Sequence, residues 1–427
     1  MKNISQIRKK IIKEYLAYHK EKQKNIDFFN SPYSYPATWS KNSGYFVLKS
    51  IYKKSTTEQI YQFIREIIGI GRLKSYSLFN QNLLNNNFEN LYITWARKKD
   101  FDQSGNFRND YMPKFTRSKN LWFLLNIDIN KIKNKNYVIF QKKYFKDFSF
   151  YFWLKSVLGI SLINKFNFKR IFYKLNVDTV FSNLIFVQIE KILKKNKIKK
   201  IFLPYEAQPF QKNLIFKIKK KYPNIKIIGY LNAVQPFPIH LHDVSNLPDV
   251  CYTISPSQKN QLTKIFGWKS NKIILTKSDK FRFTKKKNFK NKILLPYSVS
   301  NFKLITNSIE KLIMMKPNYY FSKFLVRPHP AGMIDYKYKD FVKQLKKLIK
   351  KFEYKFDSSD NKNFSIIIGS TSILLESLEK KIDVYHIVDQ AELESLDNYL
   401  WPKVNIKQIN DNIFYYSLKR SKTLINY

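Results

Sequence analysis

The stretch SIIIGSTSILLESLEKKIDVYHIVD, from Ser365 to Asp389, decides the fold. It opens on an apolar run, turns at Gly369 through three hydroxyl residues, passes into a longer patterned segment and closes on a second apolar run. Short apolar runs bounded by turn residues read as buried strands, and the segment between them as a helix. Continuous apolar strands separated by helices indicate parallel sheets covered on both faces.

The alternation extends back along the chain. KILLPYS (292–298) reads as a strand, NFKLITNSIEKLIMM (301–315) as a helix, SKFLVRPHP (322–330) as a buried strand with its exit loop, and YKDFVKQLKKLIKKF (338–352) as a helix. Further back, strands are expected at NLYITWA (90–96), LWFLLNI (121–127), NYVIFQ (136–141), KKIFLPYE (199–206), IKIIGYLN (225–232), DVCYTIS (249–255) and KIILTK (272–277). A helix capped by Ser255 and ended near Gly267 lies between the last two. Residues 278–291, SDKFRFTKKKNFKN, carry charge without periodicity and place a boundary between units 1–285 and 286–427. The expectation is α/β: two Rossmann-like domains facing a central cleft. Ile4, Ile7, Ile11, Tyr15 and Tyr18 recur at helical spacing in a basic N-terminal helix that docks on its own domain or on a bilayer.

Hydrophobic residues at 44% and aromatics at 17% of 427 residues suffice for sizeable cores and exclude a disordered chain. The net charge of +47 comes with heavy use of Lys, Asn and Ile and few Arg and Gly, a pattern of compositional bias. A dedicated nucleic-acid binder interleaves Arg clusters with exposed aromatics. Here runs such as KILKKNKIKK read as solvated helix faces, so attraction to an anionic membrane surface is expected and specific nucleic-acid binding is not. The single Cys251, in a buried strand, excludes an intramolecular disulfide and fits a reducing compartment. FSFYFWLKSVLGISLIN (148–164) is marginal in length for a span and carries Lys155 in its middle, so it reads as a core or interfacial helix. The opening residues lack the apolar core of a signal peptide. The expected location is cytoplasmic, peripheral to the inner face of the cell membrane.

Ligands of open parallel sheets bind at the carboxyl ends of strands. Three strand ends hold unusual residues. In RPHP, Pro328 and Pro330 restrict Arg327 and His329, a cation and an imidazole able to bind a phosphate or protonate a leaving oxygen. After Gly369, the hydroxyls of Ser370, Thr371 and Ser372 with helix-start amides form an anion cradle, and Glu376 reaches ribose hydroxyls or solvent. These two features end consecutive strands of one sheet in the sequence reading and converge on one phosphate. In FLPYEAQPFQ (202–211), Glu206 ends a strand between Pro204 and Pro209, where burial beside Tyr205 and Phe210 would raise its pKa and suit it to deprotonate an acceptor hydroxyl. Asp100 and Asp102 have a D-x-D spacing, with Asp102 the reserve base, and His240 with His242 needs a third ligand to hold a metal. No zincin, P-loop or G-x-S-x-G pattern occurs.

With these motifs the chain resembles bacterial GT-B glycosyltransferases of surface polysaccharide synthesis, nearest to sialyltransferase-like and Kdo-transferase-like enzymes that use CMP-activated sugars. His329-Pro330 matches their His-Pro motif, Ser370 to Ser372 their Ser/Thr motif, and Glu206 the acidic base. The resemblance also covers the segment from Pro248 to Lys277, like the stretch closing the first domain of GT-B enzymes, and ITWARKKDFDQSGNFRNDYM (93–112). Glu206-Ala207-Gln208 departs from the paired acids with glycine of polysialyltransferases. The resemblance implies inverting, metal-independent transfer from a nucleotide sugar, a CMP-sugar first, to a glycan or lipid-linked acceptor of lipopolysaccharide, O-antigen or capsule, with no bound cofactor. R-P-H-P also occurs in polyol-phosphate transferases that use CDP-linked donors, which is the enzymatic alternative. A basic nucleic-acid-binding protein is the non-enzymatic one.

Overall fold

The computed structural model describes residues 6–8, 10, 13, 56–78, 87–97, 100–103, 107, 119–126, 137–144, 149–163, 175–231, 233–241, 246–277, 289–296, 299, 301–315, 323–330, 332–352, 364–419 and 423–424. Helix α1 (Thr56–Arg72) runs into strand β1 (Leu73–Leu78), followed by β2 (Asn90–Ala96), β3 (Asn120–Asn126), β4 (Tyr137–Tyr144), α2 (Phe150–Ile163) and α3 (Val177–Lys195). Then come β5 (Lys200–Pro204), α4 (Pro209–Lys221), β6 (Lys226–Leu231), β7 (Val250–Thr253), α5 (Pro256–Lys264) and β8 (Ile273–Leu275). These strands form one sheet in the order β1-β4-β3-β2-β5-β6-β7-β8, parallel throughout except for β1.

A second sheet takes in β9 (Lys292–Leu294), β10 (Leu325–Arg327), β11 (Phe364–Ile368), β12 (Asp383–Ile387), β13 (Val404–Gln408) and β14 (Ile413–Leu418), in the order β10-β9-β11-β12-β14-β13. The first four are parallel, and β14 runs antiparallel to both its neighbours. Between the strands lie α6 (Phe302–Met315), α7 (Tyr336–Lys351), α8 (Ile373–Glu379) and the short α9 (Ala391–Glu394). The chain is therefore α/β, with a largely parallel sheet and a mixed one.

Period-two alternation explains why β11 is apolar on both faces. Ile366 and Ile368 enter the core beneath α6 and α7, while Ile367 enters the opposite one with Leu374, Leu375 and Leu378 of α8. On α6, Ile305, Ile309, Leu312 and Ile313 face that first core at helical spacing, matched by Phe341, Leu345 and Ile349 on α7. The α7 start is capped by the Asp335 carboxylate, which accepts from the Lys337 and Tyr338 amides, and α5 by the expected Ser255.

Several expectations change. β10 is a short edge strand, not a buried one: it pairs over three residues with β9 alone among the described strands, and Leu325 is 66% exposed. The exits of β10 and β11 are not neighbours, since β9 pairs between them. Antiparallel β1 and β14 border the parallel strands, and β13 pairs antiparallel with β14 beyond it. Of the boundary segment, residues 278–288 lie outside the described residues, and so do Ile4, Ile11, Tyr15 and Tyr18 of the N-terminal helix. The span candidate is a 14-residue helix, α2, and no helix among the described residues is long and apolar enough to cross a membrane.

The two sheets meet through the segments that follow β6 and β12. The Trp401 indole N–H donates to the Pro236 carbonyl at 2.9 Å. Beside it, the buried Arg8 guanidinium lies 5.1 Å over the Phe237 ring and donates to the carbonyls of Glu392 and Ser395 and to the Asp397 carboxylate. A buried cation of this kind holds only while its partners are complete. Replacing it as Arg8→Met leaves the Asp397 carboxylate uncompensated. Urea unfolding followed by tryptophan fluorescence should show a loss of about 3–5 kcal/mol, partly restored in Arg8→Met with Asp397→Asn.

Candidate functional site

Each sheet has a point where strand order reverses, and in open parallel sheets ligands bind there, beyond the carboxyl ends of the strands. In the first sheet the reversal falls between β2 and β5, because β3 and β4 add on one side and β6 to β8 on the other. Trp95, near the end of β2, stands edge-on to Phe210 at the start of α4, with ring centroids 5.9 Å apart. Glu206 lies at this reversal, at the exit of β5.

The exit of β5 is held by one side chain. Gln211, buried in the first turn of α4, donates to the Pro204 carbonyl at 2.6 Å and accepts from the amides of Glu206 and Gln208 at 2.9 and 3.1 Å. Between them Ala207 is buried at a φ of 54°, a left-handed conformation that costs a non-glycine residue about 1 kcal/mol or more. The Glu206 carboxylate accepts from the Gln208 side-chain amide at 2.8 Å, its hydrogen-bond partner among the described residues. Burial raises its pKa and outweighs the lowering by Gln208. A carboxyl poised above the ordinary range is what proton abstraction near neutral pH requires.

At the exit of β2, Arg97 holds buried Asp100 through both carboxylate oxygens, at 3.2 Å each. That pair takes Asp100 out of the D-x-D reading; Asp102 sits half-buried in the same segment. His240 is fully enclosed, and burial together with the nearby charge of buried Lys212 pushes its pKa down to about 3. His242 lies outside the described residues. Among the described residues no three potential metal ligands gather.

In the second sheet the reversal falls between β9 and β11, with β10 on one side and β12 on the other. Gly369 ends β11 at a φ of 63°, and a Cβ there would come within 3.2 Å of the Pro296 ring at the exit of β9. Glycine meets both demands without strain. Buried His386 of β12 lies 2.8 Å through Nε2 from the Gly369 carbonyl. A carbonyl only accepts, so Nε2 carries the proton, and burial keeps the ring neutral by lowering its pKa to about 4.

The Tyr338 hydroxyl ties the neighbouring exits together, donating to the Pro296 carbonyl at 2.8 Å and accepting from the His329 amide at 3.1 Å. The Leu295 amide donates to the Arg327 carbonyl, so the β9 and β10 exits run side by side. The side chains of Arg327 and His329 are exposed along this edge, and among the described residues the Arg327 guanidinium makes no ion pair. The hydroxyl cradle is narrower than expected. Ser370 is buried, the Thr371 hydroxyl oxygen accepts from the Ile373 amide at 3.4 Å, and the Ser372 hydroxyl donates to Glu376 at 3.3 Å. Glu376 is buried against Ser372 and does not face solvent. Arg327, His329, Gly369 and Ser370 thus share one sheet edge, while Glu206 belongs to the other sheet.

Glu394 escaped the sequence reading. One of its carboxylate oxygens lies 3.8 Å from the position of a Cβ on Gly369, and the other accepts from the Asp389 and Gln390 amides. Burial pushes its pKa up to about 7 despite those amides. It sits among several acids in QAELESLD, and nothing in that string distinguishes it. A cavity of about 380 Å³ opens nearby between α6 and the β13–β14 turn, lined by Asn301, Lys303, Asn307, Lys311, Asp411 and Asn412 among others.

No protein-family profile matches the chain, and no curated protein resembles it closely enough to count as a relative.

The buried histidines tie stability to pH. In the unfolded chain His386 takes up a proton below about 6.5, whereas in the folded chain it resists down to about 4. Stability therefore falls as pH drops through that interval, by up to about 3 kcal/mol from His386. His386→Gln, which keeps an N–H for Gly369, should show a shallower decline in urea midpoints over the same range.

Proposed function

We propose that the chain is an inverting glycosyltransferase of GT-B organisation that moves a sugar from a nucleotide donor, a CMP-sugar first, to a bacterial surface glycan or its lipid-linked precursor. One observation carries this reading: two strand-order reversals, one bearing a desolvated carboxyl and the other a glycine turn on the same carboxyl edge as Arg327 and His329, in sheets joined through carboxyl-end segments.

In this reading the donor phosphate sits along the edge from His329 and Arg327 to Gly369 and Thr371. Glu206 takes the acceptor hydroxyl proton as the acceptor oxygen forms its bond to the anomeric carbon. The bond from that carbon to the phosphate oxygen breaks, and its electron pair leaves with the nucleotide. Arg327 stabilises the charge that appears there, and His329 binds the phosphate or protonates it. The metal-independent form of the proposal rests on these two groups supplying the positive field. Burial raises the pKa of Glu206 and makes its carboxylate a stronger base than a solvated one.

Thermal shift with a panel of nucleotides tests the donor side: CMP should raise the melting temperature, and His329→Ala or Arg327→Ala should abolish the shift. Glu206→Gln should keep the shift yet lower transfer by roughly 10²–10⁴-fold. In the wild type, kcat/KM should rise with pH through a value above the ordinary carboxylate range. Turnover of a CDP-polyol instead of any sugar donor would replace this reading with polyol-phosphate transfer. Salt-dependent binding to arbitrary DNA, with no response to nucleotides, would replace it with nucleic-acid binding.

A further inference from the structure

Helices α1 and α2 are apolar on two sides. Inward, Phe63 and Ile67 of α1 and Phe152, Trp153, Val157 and Ile160 of α2 pack on the core. Glu66 accepts from the Val177 amide, and a Cβ on Gly69 would fall 2.7 Å from the Val177 side chain, so this face of α1 is fixed against α3. Outward, Tyr61, Ile64 and Ile68 continue in α1, and Phe150, Tyr151, Leu154, Leu158 and Leu162 in α2. Of sixteen large apolar side chains exposed among the described residues, these two helices hold eight, with Tyr151 at 74%. Scattered apolar residues need no explanation, but a stripe continued across two packed helices does.

Charge selects what covers it. The exposed charged side chains described on the two helices are Arg65, Arg72 and Lys155, and α2 contains no acid. A second copy would bring these cations against their own kind, on a chain of net charge +47. An anionic bilayer accepts both features: apolar side chains enter the acyl boundary and the cations meet lipid phosphates. At 14 residues α2 is about 21 Å long, too short to span and suited to lie in the interface. We infer that the α1–α2 face docks the protein onto an anionic lipid surface.

The face is placed to matter for the proposed transfer. β1 pairs antiparallel with β4, Leu73 opposite Tyr144, so the end of α1 lies at the carboxyl edge of the parallel strands. The Ser149 amide bonds to the Gly71 carbonyl and brings the start of α2 to the same edge, the one that holds Glu206. Docking stands without the transferase reading; its use in presenting a lipid-linked acceptor to Glu206 rests on it.

Co-sedimentation of the full chain with phosphatidylglycerol–phosphatidylcholine vesicles, against phosphatidylcholine alone, tests the proposal. The anionic vesicles should bind the wild type and retain part of it at high salt. Leu154→Glu with Leu158→Glu should weaken that partition by about tenfold per substitution. Lys346→Glu, an equal change in net charge on exposed α7, should weaken it far less. Equal weakening by both variants, full release of the wild type by salt, or no vesicle binding at all would overturn the inference. So would dissociation of an oligomer by the leucine variant with vesicle binding unchanged. The nucleotide thermal shift of the leucine variant should match the wild type, so failure of docking is read apart from failure of the donor site.

Discussion

The buried guanidinium of Arg8 is the interaction on which the joining of the two sheets depends. Taking a guanidinium out of water is costly, and here the cost is offset by the Asp397 carboxylate, two carbonyls and the face of Phe237. Those partners come from the segments after β6 and after β12. Its hydrogen-bond partners all come from the segment after β12 and the aromatic face from the segment after β6, so the full set is complete only when the two sheets are together. The Trp401 indole, reaching the Pro236 carbonyl, adds a hydrogen bond between the same two segments.

The junction is made by segments that follow strands at their carboxyl ends, the side of each sheet on which strand order reverses. At both reversals the backbone is forced into a left-handed turn, Ala207 in one and Gly369 in the other. Each turn is held by a buried polar side chain from the adjoining element. Gln211 reaches back from α4 to three backbone groups of the first, and His386 reaches across from β12 to the carbonyl of the second. Strand ends lose their ladder partners, and a buried polar group there has to be matched by a side chain. The carboxyls of Glu206 and Glu394 lie beside these turns and hold protons more tightly than free carboxylates, since burial penalises the charge.

The parallel strands were legible because each is a short apolar run, and three consecutive isoleucines in β11 admit no solvent face. Antiparallel β13 was not, since VNIKQ, exposed at alternate positions, carries too little apolar signal. β10 misled in the opposite sense: Leu325 and Val326 are apolar enough for a core strand, yet β10 is the edge strand of the described sheet and Leu325 is exposed. For the site, proline-framed or glycine-ended strands pointed to Glu206, Arg327, His329 and Gly369. The groups that position them gave no warning, because Gln211, Tyr338 and His386 act through contacts between segments distant in sequence or folded back by a tight turn.

The sequence by itself determined the α/β class, most of the parallel strands and the segments in which the unusual strand ends lie. Apolar periodicity and turn chemistry are local properties, and they survive without knowledge of neighbours. Only the tertiary structure decided that β9 separates the two phosphate-side motifs, that Arg8 is buried, and that the apolar residues of α1 and α2 divide between core and surface. Each of these depends on which surface a residue is packed against, and a residue in a lysine-rich helix or an apolar run carries no local mark of that.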